Sequence, residues 1–307
     1  MTDGSRKAVL YAFFANLGIA ITKFVGFLIT ASASLLAEAV HSLADTGNQA
    51  LLLLGGKRAR KAADRDHPFG YGRERYFWAF VVALVLFSMG GLFALYEGIE
   101  KVRHPHEVEN LGVAIGILVI AIILESVSLR TAYREASHVK GDDVTWWRWL
   151  HKSKQPELPV VLLEDIGAEI GLFFALGGVL LAHFTDEPRW DAVGSIAIGV
   201  LLVVIAIVLA IEMKGLLIGE AASERDLALI VSTLEGAQGV RRLIHLKTQH
   251  LGPDEVLVAA KLEFSPELTT EQLAECINGA ETALRAAVPI ARVVYLEPDV
   301  YRATAPA

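Results

Sequence analysis

Long apolar runs separated by short polar stretches fill the first two thirds of the chain. Six of them approach or exceed the roughly 20 residues that an α-helix needs to cross a bilayer. They fall at residues 9–30, 35–54, 76–97, 111–129, 159–184 and 191–217. The link 31–34 is so short that the first two runs are expected to form an antiparallel helical hairpin. The first run is too long for a signal peptide and has no small-residue cleavage site after it, so it is expected to be a span.

Past residue 219 the pattern changes. Residues 222–234 and 269–287 repeat apolar positions at helical spacing, and Thr269 or Thr270 can cap the second helix. Residues 240–250, 255–264 and 291–296 are β-branched and partly alternating, with Gly252, Pro253 and Asp254 marking a turn. The order αββαβ predicts a small α+β domain of ferredoxin-like type, with helices on one face of a sheet. The expected architecture is an α-helical membrane protein: six transmembrane helices in residues 1–218, then a cytosolic domain in residues 219–307.

Composition agrees. Of 307 residues, 53% are hydrophobic, and mean hydropathy is +0.45, well above an ordinary soluble protein. A net charge of −7 argues against nucleic acid as a partner. The single cysteine, Cys276, excludes an internal disulfide and any cysteine-based zinc cluster. Lys and Arg crowd residues 57–75 and follow the fourth run at Arg130 and Arg134, which puts these loops in the cytoplasm by the positive-inside rule. Both termini then lie on the cytoplasmic side of a multi-pass protein. Trp146, Trp147 and Trp149 beside Arg148 and Lys152 read as a segment lying on the membrane interface.

The polar residues inside the runs carry the chemistry. An ionisable side chain at mid-membrane costs about 2.5–3.5 kcal/mol on insertion scales, so it is a functional candidate by default. The second run holds His41 and Asp45, one helical turn apart, and Asn48 extends that face. The fifth holds Asp165 and Glu169 at the same spacing, while Glu164 lies about 100° round the helix and should point elsewhere. Together the two pairs would offer an imidazole and carboxylate oxygens to a divalent cation such as Zn²⁺, Mn²⁺ or Fe²⁺. Taken alone, His41 reads equally well as a buried histidine bonded to a carbonyl. Asn48 fits a helix–helix hydrogen bond better than a ligand role. Glu38 and Glu125 read as interfacial charges rather than pathway residues, and Asn16 and Lys23 as facing other helices or reaching an interface.

These residues resemble the cation diffusion facilitator family, proton-coupled exporters of divalent metals. The stretch SLLAEAVHSLADTGNQALLLL resembles the family's second helix, whose ligands occupy a His/Asp-xxx-Asp motif, with His41 and Asp45 on those positions. The following DHPFGYGRER is similar to the family's HxFGxG(K/R)xE loop, here His67, Phe69, Gly70, Gly72, Arg73 and Glu74. The LEPD ending and the ELPVVLLED stretch are similar to the subgroup related to mammalian mitochondrial and nuclear zinc-transporter-like members.

The departures define the expected site. The family's fifth helix carries HxxxD; here the histidine position is Val161 and the aspartate is Asp165. Glu169 is the first candidate for the fourth ligand and Glu164 the second. Some members bind a second metal in the loop with an Asp and two His; here Asp64 and His67 remain, but Tyr71 stands for the other imidazole. Metal-binding strand positions of the C-terminal domain read Ile244, Lys261, Tyr295 and Glu297, with His245 and His250 nearby, so the domain is expected to serve dimerisation.

The resemblance thus implies a homodimeric metal/proton antiporter in the inner or plasma membrane. It is not an enzyme and has no catalytic cofactor. Its metal set is His41, Asp45, Asp165 and Glu169, with Zn²⁺ favoured and Mn²⁺ or Fe²⁺ made credible by the oxygen-rich site. The alternatives are a metal-responsive scaffold or sensor without flux, or a carrier of another cation. A membrane metalloenzyme is disfavoured because no span carries HExxH.

Overall fold

The computed structural model describes residues 3–30, 33–105, 111–141 and 144–302, with side chains described from 6–25, 28, 42–105, 111–141 and 144–302. Glu38 and His41 therefore lie on described backbone, but their side chains fall outside the described residues.

The apolar runs are helices, most of them longer than the runs themselves. α1 spans Asp3–Thr30 and α2 Ala33–Arg58. The third run is α3 (Glu74–Val85), a π-helical stretch Leu86–Leu92, and α4 (Phe93–Arg103) in continuous succession. α5 spans Leu111–Val139, α7 Glu157–Thr185 and α8 Arg189–Ile218. Among the described residues, five of these spans are long and apolar enough to cross a membrane. α2 has 26 residues, also sufficient in length, though many of its side chains lie outside the described set. Between α5 and α7, the tryptophan-rich segment forms a short helix, α6 (Trp146–Lys152), capped by Thr145.

The chain divides into two compact units, Met1–Arg58 with Glu74–Lys214, and Ala59–Arg73 with Gly215–Ala307. In the first unit, α1 packs against both α2 and α5, α5 against α7, and α2 against α3. Small residues let backbones approach, as membrane helix interfaces require. A Cβ on Gly98 would sit 2.7 Å from the Ile196 side chain, and one on Gly199 2.7 Å from backbone and side-chain atoms of Leu95. The first turn of α3 is pinned to the first turn of α7 by a bidentate ion pair between Arg75 and Glu157, both almost fully buried.

The second unit holds α9 (Glu224–Glu235), β1 (Val240–Gly252), β2 (Glu255–Phe264), α10 (Thr270–Ala287) and β3 (Val293–Pro298), the αββαβ order that the pattern predicts. β1 and β2 form an antiparallel hairpin, and β3 returns through α10 to lie parallel to β2, giving the order β1-β2-β3. β2 is the central strand, and every second residue from Val256 to Phe264 is buried. That face packs with Ile230 and Leu234 of α9 and Leu284 of α10. Thr269 caps α10 in a reciprocal capping box with Gln272.

The segment 59–73, between α2 and α3, belongs to this second unit. The contact is a close backbone approach. A Cβ on Gly72 would lie 2.8 Å from Leu251 O, and one on Gly252 would lie 2.8 Å from Gly72 Cα. Only glycine at both positions lets the segment lie on the β1–β2 hairpin.

Candidate metal centre

Asp45 is half-buried on α2, and one turn further along Asn48 and Gln49 are buried. On α7, Glu164 and Asp165 are buried and Glu169 half-buried. The 100° between Glu164 and Asp165 sends them to different partners, as the helical period requires. Glu164 receives two side-chain amides from α2: Asn48 Nδ2 donates to Oε1 at 2.9 Å, and Gln49 Nε2 to Oε2 at 2.7 Å. Asn48 is thus a helix–helix hydrogen-bond residue.

Asp165 and Glu169 face α5 instead. Ser128 Oγ donates to Asp165 Oδ2 at 2.8 Å, and Ser126 Oγ to Glu169 Oε1 at 2.9 Å. These two hydroxyls escaped the sequence reading; the available signal was the pair of serines flanking Val127, directly after Glu125, late in an apolar run. Asp165 and Glu169 each keep one oxygen uncommitted. Among the described residues, Asp165 Oδ1 and Glu169 Oε2 are buried without a hydrogen-bond partner, and so are Asn48 Oδ1 and Gln49 Oε1. All four are acceptors, and an unmatched buried acceptor costs about 1–3 kcal/mol. A cation or a proton is the chemistry that such atoms can take.

A cavity of about 110 Å³ opens beside these residues, lined by Asn16 and Lys23 of α1, Asp45 of α2, Glu125 of α5 and Glu164 of α7 among its polar groups. Glu125 is therefore not an interfacial charge. It is 2% exposed and lines the cavity, because α5 runs ten residues past the expected end at Leu129 and places Glu125 deeper in the span. Lys23, likewise, is buried at the cavity rather than reaching an interface. Asp45 lies within electrostatic range of Glu125, Glu164 and Asp165, and Asp165 within range of Glu169.

Asp45, Asp165 and Glu169 are thus brought into one helical unit, but Asp165 and Glu169 do not line the cavity that Asp45 lines. Among the described residues, no group of three or more His, Cys, Asp or Glu side chains is arranged to hold a metal ion. The imidazole expected to complete the set, that of His41, lies outside them.

In the loop, Tyr71 closes a cluster with Asp64 and Lys61. Tyr71 OH donates to Asp64 Oδ2 at 2.7 Å, Lys61 Nζ donates to the same oxygen at 2.9 Å, and the His67 ring lies 4.4 Å from that of Tyr71. The Lys61 ammonium, then the Tyr71 hydroxyl and the His67 backbone N–H, hold the Asp64 carboxyl well below the usual carboxylate range. A lysine cation occupies the carboxylate that a loop metal would need. In the C-terminal sheet, Lys261 Nζ bridges Glu297 at 3.0 Å and Asp299 at 3.1 Å, His245 is exposed, and His250 is buried with Nδ1 3.1 Å from Gly252 O.

The family model for the cation efflux transmembrane domain matches residues 9–218. The mitochondrial proton-coupled zinc antiporter SLC30A9 of Mus musculus is 31% identical over 275 residues, 89% of this chain and 48% of that protein. Metal tolerance protein C4 of Arabidopsis thaliana is 28% identical over 268 residues, 87% of this chain and 59% of that protein. Magnetosome protein MamM of Paramagnetospirillum magneticum is 24% identical over 267 residues, 85% of this chain and 77% of that protein. The chain spans about half the length of the mouse antiporter. The family model covers residues 9–218, more than half of the chain, so this multi-pass membrane protein belongs to the cation efflux family of metal transporters, the cation diffusion facilitators.

Proposed function

We propose that the protein exports divalent transition-metal cations in exchange for protons, with Zn²⁺ as principal cargo and Mn²⁺ or Fe²⁺ as further candidates. The observation that carries this reading is the pair of uncommitted oxygens on Asp165 and Glu169, buried in a span within electrostatic range of Asp45. His41, Asp45, Asp165 and Glu169 form the cargo site on this reading. Glu169 is preferred to Glu164 as the fourth ligand because both Glu164 oxygens already accept amide hydrogens.

Metal binding needs ionised carboxylates and a neutral imidazole, so protons and metal compete for the same atoms. Ser128 and Ser126 each fix one oxygen of Asp165 and Glu169 and leave the other for the cargo. When the site faces the proton-rich side, protonation of these oxygens releases the metal. When it faces the other side, metal displaces the protons. His41 adds the one nitrogen ligand, with an unperturbed pKa near 6.5 that suits it to carry a proton in exchange.

Residues 1–218 form the conducting domain, and residues 219–307 a cytosolic domain through which two copies pair. The protein sits in the inner or plasma membrane with both termini in the cytoplasm, which the basic segments at 57–75 and 130–134 support. Reconstitution in liposomes with an imposed pH gradient tests the reading. Uptake of Zn²⁺ against the proton gradient supports it. A metal-dependent association without flux identifies a sensor instead.

A further inference from the structure

Lys23 is a buried charged group of the helical unit that metal ligation does not explain. It lies in the last third of α1 between Thr22 and Phe24, is 5% exposed, and lines the cavity together with Asp45, Glu125 and Glu164. Among the described residues lining that cavity, it is the one that carries a positive charge. A lysine at membrane depth is costly unless anions surround it. Three carboxylates from α2, α5 and α7 line the same space. The cargo set uses neither Glu125 nor Glu164, and Glu164 already accepts two side-chain amides.

We infer that Lys23 is a tethered counter-cation of the transport cavity. In the metal-free carrier its ammonium balances the carboxylates of Asp45, Glu125 and Glu164, and the incoming metal ion takes over that balance. The inference rests on the transport reading above and extends it to the step in which no metal is bound. A metal/proton exchanger must return its site across the membrane without metal, carrying protons instead. The five carboxylates Asp45, Glu125, Glu164, Asp165 and Glu169 then face a low-dielectric interior with no divalent ion among them. Protons neutralise some of them, and a fixed ammonium on α1 neutralises another without leaving the protein. Lys23 thus acts through the carboxylates and is a positioning residue, not a ligand.

Such a charge affects two modes of transport differently, which a purely structural lysine would not. Metal/metal exchange needs only the loaded carrier to cross. Net metal/proton antiport needs the metal-free, protonated carrier to return as well. The test uses full-length protein in liposomes, measuring zinc/zinc exchange and pH-driven net zinc uptake side by side. Lys23→Met is expected to slow net uptake by roughly a hundredfold relative to exchange, the scale set by one uncompensated charge in a bilayer. It is also expected to lower the KM for zinc, because the metal no longer displaces an ammonium. Lys23→Arg keeps net uptake. The double variant Lys23→Met with Glu125→Gln removes one charge of each sign and is expected to recover net uptake, including where Lys23→Met alone does not reconstitute.

Equal loss of both modes in Lys23→Met, retention of both, or a double variant that reconstitutes without recovering net uptake would each overturn the inference. Absence of zinc flux of either kind in the wild-type protein would instead defeat the transport reading itself.

Discussion

Asn48 on α2 donates its side-chain amide to Glu164 on α7 at 2.9 Å, inside the apolar region. Gln49 does the same to the other oxygen of that carboxylate at 2.7 Å. Glu164 is therefore a tie between two helices that each carry proposed ligands, while its sequence neighbour Asp165 keeps an oxygen free. Adjacent carboxylates have different roles because one helical step turns them towards different neighbours.

The division separates in mutants. Glu164→Ala leaves two buried amide donors without their acceptor, at about 1–3 kcal/mol each. Its thermal midpoint in detergent is expected to fall clearly below that of Asp165→Ala, which strands only a serine hydroxyl able to rotate to another acceptor. Transport is expected to follow the opposite order, with Asp165→Ala the more damaged. Equal midpoints would remove the structural role from Glu164.

The Arg75–Glu157 pair invites a second comparison. Both side chains are almost fully buried, and the contact is bidentate. Glu157→Ala removes the carboxylate that faces a buried guanidinium, and breaking a buried pair in this way typically costs about 3–5 kcal/mol. Arg75→Met combined with Glu157→Leu removes both charges and is expected to regain most of that loss. Thermal unfolding of both variants checks this; a double variant as unstable as the single one would mean that packing, not charge, dominates there.

For the loop, the prediction concerns pH. Asp64 is exposed, and its carboxyl is held below the ordinary value of 3.8, chiefly by Lys61 and then by Tyr71. A carboxyl depressed in the folded state contributes its full stability above its unfolded pKa and loses it progressively as pH falls from there through the folded one. The bonds from the backbone N–H groups of Asp66 and His67 to Asp64 Oδ1 should thus hold at full strength from neutral into mildly acidic pH, weaken as pH falls below 3.8 and fail in stronger acid. Amide hydrogen exchange, corrected for its intrinsic pH dependence, is expected to show constant protection at these two positions between neutral and mildly acidic pH. Asp64→Ala is expected to abolish that protection throughout.

What could be read in the sequence follows the range of the interactions involved. The spans and the αββαβ order were legible because apolar periodicity and turn residues act over a few positions, as at Thr269 and the Gly252–Asp254 turn. The opposed directions of Glu164 and Asp165 were legible from the helical period alone. Glu125 was misread because Arg130 and Arg134 end the apolar run without ending the helix, and α5 continues to Val139. The π-helical stretch at Leu86–Leu92 gave no local sign. Nor did the contact of Gly72 with Leu251 and Gly252, which joins residues some 180 positions apart and assigns the loop to the second unit. Ser126 and Ser128 show the same limit, since their role exists only once α5 lies against α7.

The most direct measurement is pH-driven zinc uptake into liposomes holding purified Asp45→Ala protein beside the wild type. Asp45 joins the proposed second-helix pair to the carboxylates of α7, so its removal is expected to abolish uptake while the protein still reconstitutes as a folded species. Uptake by Asp45→Ala at the wild-type rate would contradict the assignment of the cargo site.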